Sequence, residues 1–184
     1  MKQALIIGNT EVLAPLTPWL VKEEYWVTVI NHSSEKLSDV VWQAGKTGTL
    51  HYVTLLDLDY HDEVKLRRWT AHVQLMQGPL DFVVSWIEEP KEAVVTAIFE
   101  EIGAYRHDSW RWIDVIGSVD QPIIDIPRTC QSQWIILPET SKKDDKIRTE
   151  TNDVIAAVKF AALNPEQQLI RISELKLRGG LKEV

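Results

Sequence analysis

Residues 4–14 read Ala4-Leu5-Ile6-Ile7-Gly8-Asn9-Thr10-Glu11-Val12-Leu13-Ala14. Ala4 to Ile7 is an unbroken apolar run, the pattern of a strand covered on both faces. Gly8 permits a tight turn, and Val12, Leu13, Leu16 and Leu20 place one apolar stripe on a helix that follows. Pro15 is tolerable in an opening turn, whereas Pro18 predicts a kink or a helix that starts late. A strand turning through glycine into a helix is a place where an α/β fold can hold a diphosphate, because the N–H groups at a helix start are free. Ala14 suits a position where helix and strand lie close. Glu11 stands where the backbone would touch the phosphates. Two like charges about 4 Å apart repel by roughly 4 kcal/mol at an effective dielectric near 20. A micromolar ligand is worth only about 8 kcal/mol. Glu11 therefore either turns to solvent or caps the helix in the ligand's place.

Six more short apolar runs follow. Together the strands are expected at Gln3–Gly8, Trp26–Asn31, Leu50–Leu56, Leu80–Ile87, Trp112–Gly117, Ser132–Leu137 and Gln168–Ile172. Helical periodicity fills most gaps. Ser34 opens a helix with Leu37, Val40 and Val41. His61–Gln77 follows, with Val64, Leu66, Trp69 and Val73 as its inward side and Gly78-Pro79 as its stop. Glu89–Gly103 carries Val94, Val95, Ile98 and Ile102. The last begins at a Thr151 or Asn152 cap and carries Val154, Ile155, Val158 and Ala162. This alternation predicts a three-layer, doubly wound, Rossmann-like α/β domain over residues 1–184, with a mostly parallel sheet of six to seven strands. Ser141–Glu150 reads as a charged loop, and 173–184 as a loosely packed tail ending near Gly179-Gly180.

The bounds agree with one soluble domain. The chain has 184 residues, 45% of them apolar, and a net charge of −7, which disfavours nucleic-acid partners. No apolar run reaches membrane-spanning length, and a strand beginning after Met1-Lys2-Gln3 leaves no room for a signal peptide. Cys130 is the only cysteine, so a reducing, cytoplasmic setting is expected, and burial as an inert thiol is its simplest role. The eight tryptophans have no fixed period and read as packing residues. The histidines, His32, His51, His61, His72 and His107, form no i, i+4 helical pair, so no metal site is expected.

Ligands of open α/β sheets settle beyond the carboxyl ends of the strands, where the strand order reverses. Here that crevice would be lined by Gly8, Asn9, Thr10 and Glu11, by Asn31, His32 and Ser33, by Ser85, Trp86, Ile87 and Glu88, and by Gly117–Val119. Cofactor choice is read at the end of the second strand. No carboxylate ends it, which leans away from NAD, while His32 with Ser33 could meet a 2′-phosphate. Equally, Asn31 turns the chain and Ser33 or Ser34 caps the next helix. After the third strand, Asp59 with Tyr60 could meet an adenine, or Asp62 could simply cap the next helix. Asp114, inside a strand, needs a hydrogen-bond partner: it reads either as a strained functional acid or, more simply, as a residue at an edge position or with a partner such as Arg111.

The order of these elements over roughly residues 3–138 resembles a shortened short-chain dehydrogenase/reductase. Gly8-Asn9-Thr10-Glu11 resembles that family's glycine-rich turn without its second glycine, and Asp59-Tyr60 its acidic adenine contact. Ser85-Trp86-Ile87 falls at its Asn-Asn-Ala-Gly segment and matches poorly. Val115-Ile116-Gly117-Ser118-Val119 resembles its fifth-strand end, which implies Ser118 as the carbonyl-polarising catalytic residue. The resemblance implies NADP or NAD as cofactor. The family's Tyr with a Lys one turn later is missing: Val29, Leu56, Val64 and Ser109 follow Tyr25, Tyr52, Tyr60 and Tyr105 at that spacing. Gln131 stands about thirteen residues beyond Ser118, where the Tyr belongs. Gln121-Pro122 and Ile126-Pro127 break any helix before the sixth strand. Two functions remain: an NAD(P)-binding relative with reduced or absent oxidoreductase activity, or a non-enzymatic relic acting through protein–protein contacts. Monomer and homodimer are both open.

Overall fold

The computed structural model describes residues 1–106, 108–116, 126–137 and 146–177, with the backbone alone for 146–150 and 176–177. Its strands are β1 (Lys2–Gly8), β2 (Tyr25–Asn31), β3 (Val53–Asp57), β4 (Phe82–Trp86), β5 (Trp110–Ile116), β6 (Cys130–Ile136) and β7 (Leu169–Arg171). They form one sheet in the order β3-β2-β1-β4-β5-β6-β7, and every pairing is parallel. The strand order reverses between β1 and β4.

Helices cover both faces. One face carries α1 (Thr10–Leu13), α2 (Leu16–Lys22), α3 (Ser34–Lys46), α6 (Lys146–Leu163) and α7 (Ile172–Leu177). Their Leu13, Leu20, Val40 and Val158 pack on Ile6, Val29, Val84 and Val115. The other carries α4 (Glu63–Gln77) and α5 (Glu92–Tyr105), whose Leu66, Ile98 and Ile102 pack on Leu5, Ile7, Val83 and Trp112. Alternate strand residues thus enter opposite cores, as the period of two requires. Among the described residues no helix lies between β5 and β6, and on that face Ser132 and Trp134 of β6 are only half-buried.

The first helix is split. Pro15 precedes a new start at Leu16, so Pro18 falls in the first turn of α2, where its missing N–H costs no helical bond. Three expected details are corrected. Val64 and Trp69 of α4 point outward, because Leu66, Thr70, Val73 and Gln74 make the buried face. Val41 of α3 is likewise exposed, and Ala44 takes the inward position. The last long helix starts at Lys146 rather than at Thr151 or Asn152. Beyond β7 the chain continues as α7, with Ile172 and Leu175 buried. Residues 141–145 and Gly179-Gly180 lie outside the described residues.

Candidate functional site

The switch point is built around Gly8. Its φ of 105° lies in the region that favours glycine, and a Cβ there would sit 2.0 Å from the Trp86 carbonyl oxygen. The Asn9 N–H donates to that same oxygen at 2.9 Å. The end of β4 is thereby fastened against the turn after β1.

Asn31, at the carboxyl end of β2, completes the closure. Its buried amide Nδ2 donates to the Gly8 carbonyl at 2.6 Å and to Thr10 Oγ1 at 2.9 Å. Its Oδ1 accepts from the Ser33 N–H at 2.9 Å. Ser33 Oγ in turn accepts from the Lys36 N–H at 3.4 Å, capping α3. His32 is exposed, with its ring edge-on to Tyr60 at 5.7 Å.

Asp59 Oδ1 accepts from the His61 N–H at 3.0 Å, a local turn, and Asp62 caps α4 by accepting from the Lys65 N–H at 3.1 Å. Tyr60 is buried, and its hydroxyl meets the backbone of Glu88. Burial, then the charge of Glu88, pushes its phenol above the usual tyrosine value. Tyr60, from the loop after β3, and Glu88, from the loop after β4, thus meet at the carboxyl-end side of the sheet.

These contacts test the turn as a diphosphate cradle. The close approach at Gly8 suits one, and Glu11 is exposed in the first turn of α1. Two of the donors are already engaged, however. Asn9 N–H and the Asn31 amide are spent on backbone and Thr10, and α1 has only four residues, so its dipole is weak. Asn9 Oδ1 is buried without a partner, but it is an acceptor and offers nothing to a phosphate. Among the described residues the N–H groups of Thr10, Glu11 and Val12 make no backbone hydrogen bond, so the turn keeps part of a cradle and would hold a pyrophosphate only weakly.

A buried polar cluster lies beside the switch point. Ser85 of β4 stands in register with Asp114 of β5. Ser85 Oγ donates to Asp114 Oδ1 at 2.7 Å and accepts from Trp112 Nε1–H at 2.7 Å. Lys91 Nζ, just before α5, donates to Asp114 Oδ2 at 3.1 Å. Burial pushes the Asp114 carboxyl up from the ordinary carboxylate range. The Lys91 charge and hydrogen bonds from Ser85 and Lys91 pull the other way, and Glu89 adds to the rise. The expected partner Arg111 is occupied elsewhere, donating to the Ala161 and Ala162 carbonyls and to Gln133. Nor is Asp114 at an edge: β5 lies between β4 and β6. A charged residue interrupting Ile113-Asp114-Val115-Ile116 was the one sequence signal of this cluster.

Among the proposed contacts, Gly8, Asn9, Thr10 and Asn31 are brought together, Ser33 adjoins them, and His32 meets Tyr60. Ser85 is fully buried beneath the crevice and Trp86 is half-buried at its wall. Ser118 and Gly117–Val119 lie outside the described residues. Tyr25 opens β2, Tyr52 precedes β3 and Tyr105 ends α5, so all three sit at the amino ends of the strands, opposite the crevice. Cys130 opens β6 at that same end, and burial pushes its thiol up to about 12. No group of three or more metal-ligating side chains occurs among the described residues.

No protein-family sequence model matches the chain, and no curated protein matches it in sequence. Its fold is shared with solved short-chain reductases. A betaketoacyl-ACP reductase from Bacteroides thetaiotaomicron aligns over 93% of this chain and 95% of its own, with a TM-score of 0.67 and 14% identity. A short-chain dehydrogenase/reductase from Serratia marcescens aligns over 92% and 95%, with a TM-score of 0.67 and 13% identity. An enoyl-(acyl-carrier-protein) reductase from Anaplasma phagocytophilum, solved in complex with NAD, aligns over 93% of this chain and 92% of its own, with a TM-score of 0.63 and 11% identity. At these identities the likeness is one of fold. Among the described residues no helix is long and apolar enough to cross a membrane.

Proposed function

We propose that this chain is a Rossmann-fold protein related to the NAD(P)-dependent short-chain reductases, with hydride-transfer activity reduced or absent and any NADP or NAD held weakly. One observation carries the reading: Asn31 donates to the Gly8 carbonyl and Thr10, inside the turn where a diphosphate needs free donors. The missing Tyr/Lys pair supports the loss of chemistry, since no phenol with a lysine one turn on is available to take a hydroxyl proton. Ser118 is the position to test for any residual carbonyl polarisation. The second reading, a relic acting only through its surface, is favoured by Tyr60, which is buried with its hydroxyl against the backbone of Glu88 in the loop after β4.

Titration with NADH and with NADPH, following tryptophan emission, distinguishes them, because Trp86 borders the crevice. Weak saturable binding, near or above about a hundred micromolar, supports the first reading. Tight binding with turnover of a carbonyl substrate would overturn it. No saturation at millimolar cofactor leaves the surface reading. Glu11→Gly removes one anionic side chain from the turn, and a gain of about threefold or less is expected, because Glu11 is already turned to solvent.

A further inference from the structure

The outward arc of α4 is built unlike a solvated helix face. Opposite its buried Leu66, Thr70, Val73 and Gln74, the helix displays Val64, Leu75 and Met76 at 77%, 68% and 71% exposure, with Trp69 at 39%. Helical spacing puts Lys65, Arg68 and His72 between these apolar groups and puts no carboxylate among them. Asp62 pairs with Lys65 at the helix start, and Glu63 turns to Arg67. Arg68 makes no ion pair among the described residues. Trp69 and His72 stand edge to face at 5.4 Å. Lys65, Arg68, Trp69, Ala71, His72 and Leu75 line a concavity of about 610 Å³.

We infer that this face docks an acidic amphipathic helix of another protein. A concave apolar floor takes the stripe of such a helix, and the cations along it meet its carboxylates. The charge selects this occupant over two others. In a two-fold pairing of this face with itself, the cations Lys65 and Arg68 would face a surface that again offers cations and no carboxylate beyond the Asp62 already paired with Lys65, which disfavours association. An anionic bilayer would face a chain of net charge −7, with only a narrow cationic strip to offset it. Large exposed apolar groups on a helix whose inward side is already filled have no role in the fold of the single chain. The surface lies on the outer layer of the sheet, and its occupancy is independent of the crevice.

The probe is a fluorescein-labelled synthetic peptide of about 15 residues, with leucines at i, i+4 and i+7 on one face and glutamates elsewhere. Saturable anisotropy in the micromolar range is expected, accompanied by a shift in Trp69 emission. Arg68→Glu and Leu75→Ser should each weaken binding by about tenfold or more, while Trp42→Ser, an exposed apolar change on α3, should leave it unaltered. All three sites are at the surface, and thermal melts matched to the parent confirm folding. Four results would overturn the inference. One is absence of binding up to millimolar peptide. Another is equal binding of a shuffled sequence or of one with lysine for glutamate. A third is preferential binding to phosphatidylserine vesicles. The last is a homodimer in sedimentation that Leu75→Ser dissociates.

Discussion

Lys91 Nζ lies 3.1 Å from Asp114 Oδ2 with both side chains almost wholly out of solvent, so the residue preceding α5 is fastened by an ion pair to the interior of β5. Because the end of β4 holds Asn9 through Trp86 and the loop after it holds Tyr60 through Glu88, this pair anchors one wall of the crevice. Breaking it from one side strands a charge. Lys91→Met should therefore cost about 3–5 kcal/mol near neutral pH, and the double variant Lys91→Met with Asp114→Leu should recover much of it. The pH dependence has a definite sign. A carboxyl raised in the fold stabilises it when protonated; that contribution is full below the unfolded value and is lost as pH rises through the folded one. In Lys91→Met the carboxyl loses the cation that held this loss down, so the deficit against the parent should narrow from about pH 7 to about pH 4. Urea unfolding at both values measures it, and a deficit that widens toward acid would contradict the assignment.

At the switch point, Gly8→Ala should destabilise by at least about 2 kcal/mol, since the new Cβ meets the Trp86 carbonyl and φ is positive. Asn31→Asp tests the same turn differently. An acid at the end of the second strand would favour NAD in an open site. Here it would face the Gly8 carbonyl without a proton to give. A lower melting temperature with no gain in NADH affinity is expected from thermal melts and titration. A gain would mean that the Asn31 side chain can leave its present partners.

The sheet was legible because most strands hold a short apolar run bounded by polar residues, and all seven lie within a few residues of their expected places. Helix faces were less so. Val64 and Trp69 are apolar at nearly helical spacing from Leu66 and Val73, and only the packing shows that Thr70 and Gln74 fill the inward side instead. Local alternatives at the crevice were readable, since Ser33 and Asp62 sit at cap positions that need only neighbours in sequence. The Asn31 bond to Gly8 and the Ser85–Asp114–Lys91 cluster were not, because their partners are 23 to 29 residues apart and meet only once the strands are in register.

Cys130 offers a chemical check on packing at the amino ends of the strands. With its thiol raised to about 12, little thiolate forms near pH 8. The greater nucleophilicity of a high-pKa thiolate offsets part of that deficit. The native protein should react with iodoacetamide at least about thirtyfold more slowly than the urea-unfolded chain. Comparable rates would mean that the start of β6 opens readily.

Tyr60 decides whether the crevice is merely crowded or structurally closed. It is buried in the core on the α4 and α5 face and its hydroxyl meets the Glu88 backbone, so Tyr60→Ala removes both packing and a polar tie. A cost of about 3–4 kcal/mol follows from the lost burial and the cavity left behind. The space freed adjoins Glu88, in the loop that follows Trp86, whose carbonyl holds the turn at Gly8. If the ring is the principal obstruction, the variant should melt lower yet bind NADH several-fold more tightly than the parent, in a tryptophan-emission titration run well below its melting temperature. Tyr60→Phe separates the two contributions: it keeps the ring and should leave the affinity unchanged while losing about 1 kcal/mol of stability. A destabilised Tyr60→Ala protein with unchanged affinity would place the barrier in the hydrogen bonds of Asn31 and Asn9, and so in the turn itself.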